Sequence, residues 1–420
     1  MRVLLVSAAG DGAWFVHRLI SEGHEVTWTI HKRKYANALA GLIPAPVEHP
    51  PDPSNFELVV FDATGHGEAA DLARQTTPTV GDSKFADLIE HDRIAGLEFM
   101  EHCGIKVPPW ESFDSPDKGI AWVRKTHKRT VFKPMGARDD SASTYVSKSP
   151  EDMERFMGVL FARQKVKEFV LQEFVQGTEV STEGWFDGER FHALNHTLEE
   201  KKLMDGGIGP NTGCAGNILW IPARPTTLYN LGLARTVDAL RRVGFVGPID
   251  LNTIATDGEI FGLEWTPRFG YEGTCNLTRL LPIEFGEFLH RVASGQMTDL
   301  AQPNYAFAAS VRLSVPPYPN PSNPEKYAGV PIDGLDLDRL DSFFLSDACL
   351  TKEGKLETIG TDGWIGSPIG CSDSIKGAFD ECQVAIDKLM IPDMMYRTDL
   401  ARCIEKRYTN LQQQGWLRMP

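Results

Sequence analysis

The segment 248–270, PIDLNTIATDGEIFGLEWTPRFG, limits the possible folds more than any other stretch of this chain. Two runs rich in β-branched and aromatic residues flank Asp257-Gly258, a dipeptide that favours the tight turn of a β-hairpin. Alternate side chains of a strand share a face. Asp250 and Asn252 therefore lie together on the first strand, and Glu264 and Thr266 together on the second. Such a hairpin can gather the oxygen ligands that a hard cation bridging phosphates requires. Arg268, two residues on, adds a planar fork suited to phosphate or carboxylate. The same pattern also suits a plain hairpin with solvated acids, and the segment alone leaves both open.

Before this hairpin the pattern changes twice. Residues 2–6, 25–30 and 57–62 are strand-like runs separated by a helical stretch and a proline-rich loop (44–55). This order predicts a parallel α/β unit with ligands at the carboxyl ends of its strands, near Ala8–Gly12 and Asp62–Gly67. A single helix is predicted over 84–103, with Phe85, Leu88, Ile89, Ile94, Leu97 and Met100 on one face and a stop at Gly104. From 130 a hairpin, a helix opened by Ser149, and strands at 168–175, 180–188 and 190–196 predict an α+β region.

At 420 residues the chain is long enough for several domains, and no run approaches the roughly 18 apolar residues of a membrane span. The opening MRVLLVSAAG reads as a first strand, not a targeting segment. Seven scattered cysteines without a C-x-x-C pair argue against a disulfide framework or structural zinc and predict a cytoplasmic setting. A net charge of −14 disfavours general nucleic-acid or anionic-membrane binding.

Three further segments carry candidate chemistry. In VFKPMGARDDSAST (131–144), Lys133 ends a strand before a polar loop that suits phosphate oxygens, although Asp139 and Asp140 would repel them. In LQEFVQGTEVS (171–181), backbone groups of Glu173, Phe174 and Val175 suit an adenine edge, and Glu179 suits ribose hydroxyls. In EEKKLMDGGIGPNTGCAGN (199–217), five glycines predict a structured loop that cradles an anion or substrate.

Together these segments resemble the ATP-grasp enzymes, and among them the phosphoribosylamine–glycine ligases (glycinamide ribonucleotide synthetases). The likeness is carried by GPNTG (209–213) behind Lys201, Lys202 and Asp205, by GLEWTPRFG (262–270), by EFVQGTE (173–179) and by DMMYRTDLARCIEKRY (393–408). It implies an N-terminal pre-ATP-grasp α/β domain (1–105), two ATP-grasp lobes (106–196 and 197–300) and a C-terminal α+β domain (301–420). It implies ATP and Mg²⁺ or Mn²⁺ as cofactors. Arg93, Lys133, Glu173, Phe174, Val175 and Glu179 would lie on the nucleotide, and Asp250, Glu264 and Thr266 on the metal. Gly10, Gly209, Pro210, Asn211, Thr212, Gly213 and Arg268 would face substrate, with Arg268, Lys202 and Asp205 in the chemistry. The implied activity is amide formation in purine biosynthesis through an acyl phosphate, joining an amino acid such as glycine to an amine, in a monomer or homodimer. Departures stand beside it: the family's phosphate-binding first turn is here Ala9-Gly10-Asp11-Gly12-Ala13, and its metal-binding Asn is Thr266. These motivate two alternatives, a ligase for another amine such as a modified nucleotide, and a nucleotide-binding homologue with impaired catalysis.

Overall fold

Four parallel strands open the chain: β1 (Arg2–Ser7), β2 (Glu25–Ile30), β3 (Leu58–Phe61) and β4 (Thr79–Gly81), in the order β2-β1-β3-β4. The computed structural model describes residues 1–135, 144–163, 166, 168–319 and 324–418. Val3, Leu5 and Val60 are buried in one hydrophobic cluster and Leu4 and Val59 in another, so apolar runs rather than alternating patterns mark these strands. The carboxyl ends of β1 and β3 open onto Gly10–Gly12 and Asp62, as expected of a parallel α/β unit.

The single helix predicted over 84–103 is two, Lys84–His91 and Arg93–His102. Asp92 between them leaves helical geometry (φ −102°, ψ 103°), and its carboxylate accepts from the N–H groups of Ile94 (2.9 Å) and Ala95 (3.1 Å). Its capping bonds outweigh the continuous apolar stripe. The break puts Arg93 at the first position of the second helix.

Next comes an antiparallel sheet of β5 (Trp110–Phe113), β6 (Thr130–Pro134), β7 (Tyr145–Val146) and β8 (Phe169–Glu173), ordered β5-β8-β6-β7. Phe132, Phe169, Met153 and Met157 are its core. The loop Gly136–Ser143, with Asp139 and Asp140, lies outside the described residues.

The largest sheet holds β9 (Thr178–Phe186), β10 (Phe191–Met204), β11 (Ile208–Trp220), β12 (Gly247–Ala255), β13 (Ile260–Thr266) and β14 (Phe307–Val311). It continues into β15 (Leu313–Ser314), β16 (Phe343–Leu345) and β19 (Trp364–Ser372), while β17 (Cys349–Leu350) and β18 (Leu356–Glu357) pair separately. Its path is β13-β12-β9-β10-β11-β14-β19-β15. The hairpin at 248–270 forms as expected, with Asp250 opposite Thr266 and Asn252 opposite Glu264.

The cradling loop predicted over 199–217 is instead the outer part of the β10–β11 hairpin, and the strand predicted at 190–196 runs on to Met204. Glycine is needed at the tip, where Gly206, Gly207 and Gly209 take φ values of 75°, 68° and 84°. The residues around them pair as strand. β10 crosses residue 196, and β14 and β19 extend the sheet past residue 300, so the sheet has no break at either expected lobe boundary. Among the described residues no helix is long and apolar enough to cross a membrane, and all seven cysteines are free.

One buried group gives the fold a measurable pH signature. His196 lies between the hydroxyls of Thr182 (3.0 Å) and Thr226 (2.8 Å), and burial pulls its pKa down to about 4. The folded chain therefore binds fewer protons than the unfolded chain between about pH 4 and 6.5. His196 leaves stability intact above that window and removes about 3 kcal/mol as pH falls through it. Burial holds Asp11 and Asp62 up at about 7, which tilts stability the opposite way, downward as pH rises from 3.8. The wild-type curve thus sums opposed slopes. Urea unfolding of wild type and His196→Gln between pH 4 and 7 isolates the histidine, and identical slopes for the two chains would refute its assignment.

Candidate active site

Lys133, at the end of β6, reaches from the small antiparallel sheet to the large one, and its ammonium donates to the carbonyl of Leu263 on β13 at 3.4 Å. Facing Lys133 across the cleft between the two sheets are Glu179 on β9, Lys201 on β10 and Glu264 on β13. Lys201 on β10 donates to Glu179 Oε1 at 2.6 Å, and Asn252 Nδ2 donates to the same oxygen at 2.9 Å. Glu264, opposite Asn252 on β13, stands open to the cleft.

A bulge places Lys201. Glu200 pairs with Gly216 but Lys202 pairs with Asn211, so β11 swells outward across Thr212–Ala215. The Thr212 hydroxyl donates to the Lys201 carbonyl at 3.0 Å. Bulges re-aim side chains, and here Lys201 turns to the cleft while Lys202 donates to Gly209 O at 3.2 Å across the hairpin.

The charges are strongly coupled. Burial would raise Glu179, yet the ammonium of Lys201 brings it down to about 2, helped by Asn252 and Arg407. Desolvation also works against ionised Glu264, but Lys201, Lys133 and Arg93 outweigh it and hold its carboxyl low. Burial lowers Lys133 to about 8 against the pull of Glu264, and burial also lowers Arg93. Lys133, Lys201 and Arg93 thus converge on Glu264, and Lys201 also meets Glu179 and Glu199. Arg93 Nε has no hydrogen-bond partner among the described residues.

Asp250 lies on the same face of β12 as Asn252, opposite Glu183 and Thr266. Burial, then the nearby Glu183 and Glu199, push its carboxyl well above the carboxylate range. Asp250 Oδ1 and Asn252 Oδ1 are buried without hydrogen-bond partners among the described residues. Two orphaned oxygens beside the carboxylate of Glu264 fit a hard divalent cation, which would also reverse the penalty on ionising Asp250.

Other candidates lie apart from this cluster or are engaged elsewhere. Asp205 at the hairpin tip accepts from Thr398 N at 2.8 Å, away from Lys201, while Gly209 and Pro210 are exposed. Asn211 and Gly213 flank Thr212 on β11. The Arg268 fork is partly taken, since its Nε donates to Glu90 Oε1 at 2.7 Å and Nη1 to Phe269 O at 3.3 Å. Thr64 holds the other oxygen of Glu90 at 2.7 Å. Glu173 is paired with Lys128, and the guanidinium of Arg129 stacks 3.4 Å from the Phe174 ring centroid. The N–H groups of Glu173 and Phe174 donate to the carbonyls of Pro109 and Arg129, so both are engaged within the protein. Gly10 is buried and lines a cavity of about 20 Å³ with Asp11, Tyr35, Ser346, Thr361 and Asp362.

Sequence reasoning singled out Lys202 over Lys201 and missed Glu90, Glu199 and the basic run His31–Lys34 that follows β2. Strand alternation separates Lys201 from Lys202 once 199–204 is read as strand. The partnership of Glu90 with Arg268, 178 residues apart, leaves no local signal.

Comparison with known proteins places this geometry. Residues 96–270 match the family model described as phosphoribosylglycinamide synthetase, ATP-grasp (A) domain. A phosphoribosylamine–glycine ligase of Methanocella arvoryzae is 25% identical over 407 residues, covering 90% of this chain and 91% of that protein. The crystal structure of the Thermotoga maritima phosphoribosylamine–glycine ligase superposes with a TM-score of 0.74 at 22% identity, covering 95% of this chain and 100% of that one. A biotin carboxylase domain from Hydrogenobacter thermophilus, solved with MgADP, superposes at 0.63 and 12% identity, covering 100% and 99%. The fold is the ATP-grasp fold. Within that class, residues 96–270 are similar to the ATP-grasp domain of phosphoribosylglycinamide synthetases.

Proposed function

We propose that this chain is an ATP-dependent carboxylate–amine ligase of the phosphoribosylamine–glycine ligase type. The observation that carries the reading is the cleft cluster, in which Lys133, Lys201 and Arg93 from three elements converge around Glu179 and Glu264. In this reading the three cations hold the ATP phosphates, and Val175 and Glu179 meet the adenosine. Asp250, Asn252 and Glu264 would hold Mg²⁺, which supplies charge neutralisation when bound. A carboxylate oxygen of the amino acid attacks the γ-phosphorus, the bond to ADP breaks, and an acyl phosphate results. The amine nitrogen then attacks the acyl carbon, phosphate leaves, and the amine proton passes to solvent. Preorganised cations favour the first step because they meet charge that spreads over the phosphoryl oxygens.

The acceptor admits a second reading. Phosphoribosylamine carries a phosphate, for which the exposed run His31-Lys32-Arg33-Lys34 lies at the correct edge of the parallel sheet, beside Ser7 and Ala8. The cavity beside Gly10, about 20 Å³ and lined by Asp11 and Asp362, has room for an ammonium group but not for a phosphate, which favours the end of a cationic, unphosphorylated amine there. ADP release is measured with glycine plus phosphoribosylamine, and with glycine plus a panel of unphosphorylated amines. Hydroxylamine trapping of the acyl phosphate runs in parallel. Efficient use of phosphoribosylamine supports the family activity, and turnover with another amine alone supports the second reading. No hydroxamate and no ADP with any pair would sink the ligase assignment.

A further inference from the structure

The C-terminal helix, Leu400–Gln413, and the turn before it reach back to the strands that carry Lys201 and Glu179. The β9–β10 ladder ends where Ser181 pairs with Thr197. Two residues beyond that pair, the carbonyls of Glu179 and Glu199 need other donors, since a backbone carbonyl withheld from water is costly. One guanidinium supplies them. Arg407 Nη2 donates to Glu179 O, and Nη1 donates to Glu199 O at 2.6 Å and to Glu200 Oε1 at 3.1 Å.

Arg397 continues the same arrangement with its side chain fully buried. Its Nη1 donates to Lys202 O at 3.1 Å and to Glu200 Oε2 at 3.2 Å. Its Nε donates to Asp399 Oδ1 at 2.9 Å, and Asp399 Oδ2 accepts from Gly206 N at 2.8 Å. The backbone around Lys201 is therefore held on both sides, and Thr212 holds the carbonyl between. Lysine is a point charge on a flexible stem, so its place beside Glu179 depends on the backbone that presents it.

We propose that Arg407 and Arg397 are positioning residues of the nucleotide site, closing the open end of the β9–β10 pair so that Lys201 meets Glu179 in the cleft. A purely structural role for this helix is already served by Ile404 and Leu411, which are buried in the main core. The inference rests on the ligase reading in one respect, that Lys201 and Glu179 face the nucleotide.

The test titrates MgADP calorimetrically and measures KM separately for MgATP and glycine. Arg407→Ala is expected to weaken MgADP binding at least tenfold and to raise KM for MgATP comparably, with KM for glycine within twofold of wild type. Arg407→Lys, which keeps the charge but not the fork, is expected to recover part of the loss. Arg402→Ala, at an exposed position of the same helix, is expected to match wild type. Should Arg407→Ala not fold, Arg407→Lys and Arg397→Lys decide, each with an expected loss of threefold or more. A folded variant that binds MgADP as wild type does, or an equal rise in both KM values, overturns the proposal alone. Wild-type protein that fails to bind MgADP overturns the ligase reading as well.

Discussion

Glu264→Ala is expected to lower amine-dependent ADP release on the order of 10³-fold. The carboxylate is central to the cleft, since Lys201, Lys133 and Arg93 all act on it and it faces Asn252 across the hairpin. Without it, the proposed divalent-cation site loses a carboxylate that the cleft cations hold low, while burial holds Asp250 well above the carboxylate range. Folding should tolerate the change because Glu264 stands open to the cleft. Thermal unfolding of the variant checks that point. ADP release within threefold of wild type, in a folded variant, would remove Glu264 from the proposed metal site.

The second large effect separates two adjacent lysines. Lys201→Met is expected to cost about 10²–10³ in kcat/KM for MgATP, the scale seen when one preorganised donor to a developing charge is lost. Lys202→Met is expected to stay within threefold. The difference follows from the bulge: Lys201 Nζ is bound to Glu179 at 2.6 Å, whereas Lys202 Nζ caps Gly209 O at the hairpin. The two side chains have the same chemistry and neighbouring positions, so contrasting kinetics report geometry alone. Equal losses in both variants, or a larger loss at Lys202, would contradict the strand assignment of the hairpin's outer part.

Much of the site was legible because strand alternation is a local rule. Asp250, Asn252, Glu264 and Thr266 share the face expected of them once the Asp257-Gly258 turn is recognised. The glycine-rich segment misled for a physical reason. Glycine marks positive φ, and three such positions at a hairpin tip look in sequence like the beginning of a loop. Asp92 misled in the opposite sense, since a continuous apolar stripe hid a side chain able to cap a new helix. Arg268 is in sequence a fork suited to phosphate or carboxylate, and its engagement by Glu90 leaves no local trace because Glu90 lies in another part of the chain.

Local patterns alone determined the parallel α/β beginning, the acidic hairpin and the set of oxygen and nitrogen groups available for nucleotide chemistry. These depend on residues within a few positions of one another, where periodicity and turn preference act directly. Only the tertiary structure decided which of those groups meet. Lys133 arrives from a different sheet, Arg93 from a helix begun by Asp92, and Arg407 from the C-terminal helix, 228 residues from Glu179. Coulombic coupling depends on separation in space and not along the chain. The pairing of Lys201 with Glu179, the engagement of Arg268 by Glu90 and the depressed carboxyl of Glu264 therefore exist only once the sheets have packed.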